Sequence, residues 1–111
     1  MPKHEFGIMQ KGPVTNKRYD SYEPEKYNCI AIDDDYIEAV SEKLLNVDCY
    51  WHTLKRPEKG LAYYGVTIIP PNSMDALIEM LLRQDVSECI PLIDLAKKAK
   101  EDEKYIIHFG I

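Results

Sequence analysis

Apolar residues recur along this chain with two different periods, and the switches between them divide it into elements. Tyr27-Asn28-Cys29-Ile30-Ala31-Ile32 is rich in β-formers, lies between Pro24 and Asp33-Asp34-Asp35, and predicts a strand. Ile37, Val40, Leu44 and Val47 then fall at helical spacing, which predicts a helix over about 34–46 with Asp33 or Asp34 as its cap. Residues 48–54 and 61–69 read as two strands of a hairpin, joined through Lys55-Arg56-Pro57-Glu58-Lys59-Gly60. Pro70-Pro71 ends the second strand, and Asn72 or Ser73 opens a helix whose apolar face is Met74, Leu77, Ile78 and Leu81. A further helix over about 88–104 carries Ile90, Ile93 and Ala96 on one side, and admits Pro91 only in its first turn. Tyr105-Ile106-Ile107-His108-Phe109 is the last strand.

The first 27 residues break this rhythm. Gly12-Pro13 and Pro24 exclude a long helix there, yet Tyr19, Tyr22 and Tyr27 make the segment too aromatic for a disordered tail. The reading is a single domain over 1–111: an extended arm over 1–26, packed on an α/β sandwich over 27–111. The order β-α-β-β-α-α-β is that of an α+β, ferredoxin-like split β-α-β sandwich, with one mostly antiparallel sheet and helices on one face.

Strand alternation sorts the two sheet faces. Placing the apolar alternates toward the helices puts Ile30, Ile32, Tyr64, Val66, Tyr105, Ile107 and Phe109 in the core, with Trp51, Leu44, Leu77 and Ile93. The helix-free face then carries Tyr50, His52, Tyr63, Thr67, Cys29, Asp33 and His108. Small residues in its middle and polar aromatics at its edges suit a shallow ligand site or a surface for a second chain. The arm folding over the same face is the competing expectation. The 48–54 strand carries the least secure register, because a slip of one residue exchanges its faces.

Composition narrows the partners. Of 111 residues, 45% are hydrophobic and 30% charged, with a net charge of −5. An acidic chain is a poor match for phosphate-rich nucleic acid or an anionic membrane surface. Cys29, Cys49 and Cys89 are odd in number and form no CxxC pair, so reduced thiols, a cytoplasmic location and no disulfide framework are expected. There is no apolar leader at the N-terminus and no stretch long enough to span a bilayer.

Other constellations are weaker. Asp33-Asp34-Asp35 resembles a Mg²⁺-binding cluster, but the start of a helix explains three acids equally well. Asp34, Glu38 and Glu42, four residues apart, form an acidic stripe to which a basic protein partner can dock; six acids against one basic residue concentrate charge in 28–54. Cys49 and His52 fall on opposite strand faces, which argues against a thiol nucleophile and its base. His4, His52 and His108 have no metal-ligand spacing, so no metal or cofactor is expected. These readings define three functions: a non-enzymatic binding protein using the helix-free face for a small ligand or partner chain, with a second copy among its expected partners; a small enzyme using His52, Tyr63 and Asp33 as acid–base groups; and an acidic inhibitor of a basic partner.

Overall fold

Lys3, Glu5, Gly7 and Met9 alternate with His4, Phe6 and Ile8, and this segment is a strand near the middle of the sheet, not part of an irregular arm. The computed structural model describes residues 2–111 and contains one six-stranded antiparallel sheet. Its strands are β1 (Lys3–Met9), β2 (Ile30–Asp33), β3 (Asp48–Trp51), β4 (Pro57–Lys59), β5 (Val66–Ile69) and β6 (Tyr105–Phe109), in the order β2-β1-β6-β5-β3-β4. The helices are α1 (Asp34–Ala39), α2 (Ser41–Leu44), α3 (Met74–Gln84) and α4 (Ile90–Glu101). The domain is thus α+β, but a split β-α-β sheet would seat β2 between β5 and β6. Here β6 pairs with β5 directly, and β1 separates β6 from β2.

The helix expected over 34–46 is broken at Val40, where α1 ends and α2 begins. The bend lets Ile37, Val40, Leu44 and Val47 all reach the core, as their spacing requires. Asp33 caps α1 by accepting from the Asp35 amide. Ser73 does not cap α3; its hydroxyl donates to the Asp48 carbonyl 2.6 Å away and ties the helix entrance to β3. Pro91 sits in the first turn of α4, as expected. Ala96 and Ala99 are fully buried along α4, where small side chains allow close packing.

Both faces of the sheet are covered. Phe6, Ile8, Ile32, Ile69 and Ile106 join the helices in the larger core. Val66, Ile68, Ile107 and Phe109 face the other way, into a second core closed by Tyr19 and flanked by Tyr27. The segment after β1 is therefore a second layer over this face. At Gly7 the arm comes so close that a Cβ would lie 2.6 Å from the Tyr27 carbonyl oxygen and 2.8 Å from Cys29 Sγ.

Two-sided burial reverses several face assignments. Val66, Ile107 and Phe109 are buried on the arm side, while Thr67, Ile106 and His108 point toward the helices. Tyr64 lies in a loop and is 80% exposed, and Trp51 is half-buried at the end of β3, its Nε1 donating to the Gly60 carbonyl. The strand at 61–69 is shorter than expected, because residues 60–65 form a loop. Tyr50 pairs with Pro57 and Ile68, and residues 48–54 do not form a simple hairpin with 61–69: β4 lies within the expected turn and pairs with β3.

With core on both faces, Leu77→Ala beneath α3 and Ile107→Ala beneath the arm should each destabilise the protein by about 2–5 kcal/mol in urea unfolding. A loss below about 0.5 kcal/mol at Ile107 would contradict the arm as a packed layer.

Candidate functional site

Polar side chains gather at two places on opposite sides of the sheet. On the helix side, neighbouring strands carry His4 (β1), His108 (β6) and Thr67 (β5), all three fully buried. His108 Nδ1 lies 3.0 Å from Thr67 Oγ1, and His108 Nε2 lies 2.8 Å from His4 Nδ1. His4 Nε2 lies 2.8 Å from Asp34 Oδ1 at the start of α1, which also accepts from the Tyr63 hydroxyl. At the far end Thr67 Oγ1 accepts from the Ala62 amide at 2.8 Å. One proton arrangement gives every donor an acceptor: Thr67 O–H to His108 Nδ1, His108 Nε2–H to His4 Nδ1, and His4 Nε2–H to Asp34. Reversing the direction would leave the Thr67 proton without an acceptor. The rings stack at 5.1 Å, with Phe6 against His108 and Tyr63 edge-on to His4.

Burial, and then the neighbouring His4, push the His108 imidazole well below its ordinary value. Bonds from Tyr63 and then His4 hold the Asp34 carboxyl below the usual carboxylate range. The same Asp34 bond pushes the Tyr63 phenol up. These groups satisfy one another inside the protein, so the cluster is a structural clamp.

The arm side holds a cleft of about 620 Å³. Its corner is His52, the first residue after β3, in the left-handed conformation with φ 65°. This conformation is uncommon for a side-chain-bearing residue and is held by backbone bonds on both sides. The His52 amide donates to the Val66 carbonyl at 3.0 Å, and its carbonyl accepts from the Tyr19 amide at 2.6 Å. The ring is fixed as well. Nδ1 lies 3.2 Å from the Tyr19 carbonyl oxygen and 2.6 Å from Asp20 Oδ1, and Asp20 Oδ2 is held 2.6 Å from Arg18 Nε. A carbonyl can only accept, so Nδ1 carries the proton and Nε2 presents a lone pair in the neutral ring. Nε2 has no partner among the described residues and is not sealed from solvent. It lies over Gly65, where a Cβ would approach it to 2.6 Å. Tyr22 and Tyr64 form exposed rims, Val66 and Phe109 an apolar floor, and Lys3 and Glu5 stand at the β1 end.

The residues expected on one open face are thus divided. Tyr50, His52 and Cys29 do lie on the arm side, and Asp33 is at its edge as the α1 cap. Thr67 and His108 are corrections: they belong to the buried helix-side clamp, because polar residues that satisfy each other can turn inward. Tyr63 follows them onto Asp34. The acidic stripe also loses a member. Asp34 is buried and bonded, while Glu38 and Glu42 are exposed beyond it. Burial pushes the Cys29 and Cys49 thiols up to about 12, which keeps them protonated and poor nucleophiles. Among the described residues no group of three or more His, Cys, Asp or Glu is placed to hold a metal. No helix among them is long and apolar enough to cross a membrane.

Sequence reasoning missed Lys3, Glu5, Asp20, Tyr22 and His4. The period-two pattern of residues 3–9 was the available signal for β1; nothing local marked Asp20 as a neighbour of His52. No family model matches the sequence, and searches of curated proteins and of solved structures find no match either.

The clamp makes stability depend on pH. An unfolded chain takes up a proton at His108 near pH 6.5, whereas the folded chain resists it to lower pH. The contribution from neutral His108 is therefore complete above about pH 6.5 and is lost as pH falls below it. His108→Gln, which does not titrate, should flatten the dependence of the urea midpoint on pH between about 7.5 and 5. An unchanged slope would contradict the assignment.

Proposed function

We propose that this protein is a small-molecule-binding domain whose ligand occupies the cleft beside His52. The observation that carries this reading is the His52 ring: a tautomer fixed by Tyr19 and Asp20, with its free Nε2 opening on a concave, partly apolar surface. A ring locked in one orientation loses little entropy when it accepts a hydrogen bond, which is the preorganisation a binding site needs. Tyr22 and Tyr64 offer aromatic faces on either side, so the favoured ligand is flat and bears a hydroxyl or N–H donor for Nε2.

The same geometry supports a second reading. An imidazole backed by a carboxylate is the arrangement of a general base, so a substrate that loses a proton at this position would make the domain an enzyme. In that case His52 abstracts the proton at Nε2 and Asp20 stabilises the imidazolium that results. A partner chain is a poorer fit to this face, since the arm covers most of it and leaves a cleft.

His52→Asn tests the site on which both readings rest, because Asn tolerates the left-handed backbone while removing the ring. In a screen of small aromatic alcohols and amides read by amide chemical shifts, perturbations should cluster at Gly65, Val66 and Phe109. They should weaken at least tenfold in concentration in the variant, with the melting temperature nearly unchanged. Perturbations elsewhere, or none, would contradict the site.

A further inference from the structure

The arm encloses a second hollow, of about 440 Å³, at the opposite end of β1 from Lys3. Its chemistry differs from that of the His52 cleft. The inner surface is apolar, made by Met9 and by the rings of Tyr19 and Tyr27. The polar groups around it are cationic or neutral: Lys11, Lys17 and Lys26, with Gln10 and Asn28. No Asp or Glu lines it, although the chain as a whole carries a net charge of −5.

Two of the three ammonium groups are placed by the tyrosines themselves. Lys17 Nζ stands 5.1 Å from the centroid of the Tyr19 ring, and Lys26 Nζ stands 5.6 Å from that of Tyr27. Neutralisation is scarce. Lys26 reaches Glu23 only at 3.9 Å, and among the described residues no carboxylate forms an ion pair with Lys11 or Lys17. Tyr19 adds a directed donor: its hydroxyl oxygen accepts the Val14 amide at 2.9 Å, leaving the hydroxyl proton free for another acceptor. Three cations around an apolar recess repel one another until an anion enters between them, and the aromatic walls supply the complementary surface for a flat apolar group.

We infer that this hollow binds a small aryl anion, a phosphate or carboxylate carried on an aromatic ring, with the anion between the lysines and the ring against Tyr19 and Tyr27. The site stands apart from the His52 cleft and does not depend on that reading.

Phenyl phosphate and benzoate are the probes, titrated calorimetrically into the intact protein, with inorganic phosphate and benzyl alcohol as the anion and ring alone. At least one aryl anion should bind at one site, at least tenfold more tightly than either half. Raising the salt concentration should weaken it. Combined Lys11→Gln and Lys17→Gln, both at exposed positions, should reduce the affinity at least tenfold with an unchanged melting temperature. Lys97→Gln, on the distant α4 surface, should have no effect. Absence of binding by both aryl anions would overturn the proposal, as would equal binding of inorganic phosphate or an equal loss in Lys97→Gln.

Discussion

A chain of hydrogen bonds buried between sheet and helices ties this fold together. It runs from the Ala62 amide through Thr67, His108 and His4 to Asp34 and Tyr63. The chain crosses three neighbouring strands, so it fixes where β1, β6 and β5 stand relative to one another. Through Asp34 it also fixes the start of α1, and through Tyr63 the loop that returns to β5. A buried polar network either satisfies all its members or destabilises the core, and here no buried side-chain polar atom among the described residues lacks a partner. Register by register, β1 and β6 meet as Phe6 with His108 and Gly7 with Ile107. A slip of β1 by one residue would carry His4 to the arm side, taking one donor from Asp34 and leaving His108 Nε2 buried without its partner.

Pinning β1 and β6 together in mid-sheet shapes the other face. With the helices on one side, Val66, Ile68, Ile107 and Phe109 form an apolar surface that needs cover, and the arm supplies it through Tyr19 and Tyr27. The arm does not lie evenly over the sheet. Near Lys3 and the C-terminal residues it stands away, and Asp20 and the His52 corner border the gap as the first cleft. Near Met9 it loops outward and brings three lysines around the second hollow. Both candidate sites are consequences of how one irregular segment covers one apolar face.

Helices and most strands were legible in the sequence because their apolar spacing is strong: Leu77 and Ile93 are buried where periodicity placed them. The faces of β5 and β6 were not legible. Val66-Thr67-Ile68-Ile69 and Ile106-Ile107-His108-Phe109 are buried on both sides, and alternation carries information only when one face is wet. Turning polar Thr67 and His108 outward was the natural reading for a strand with one wet face; their mutual satisfaction is a long-range fact, between positions 41 residues apart. The strand at residues 3–9 was hidden by its histidine, charges and glycine, although its period is two. Of the site, the tyrosine-bearing arm and His52 on its face were readable. The contact of His52 with Asp20 was not, because it depends on how the arm returns over the sheet.

The state of the three histidine rings tests this account most directly. Two-bond and three-bond proton–nitrogen correlation spectra at neutral pH distinguish the tautomers of each ring. The structure requires His4 and His108 to carry their proton on Nε2, in line along the buried chain, and His52 to carry its proton on Nδ1, facing Tyr19 and Asp20. Finding all three as assigned would support both the clamp and the free Nε2 in the cleft. An imidazolium or an Nδ1–H tautomer at His108 would contradict the clamp, and an Nε2–H tautomer at His52 would contradict the site.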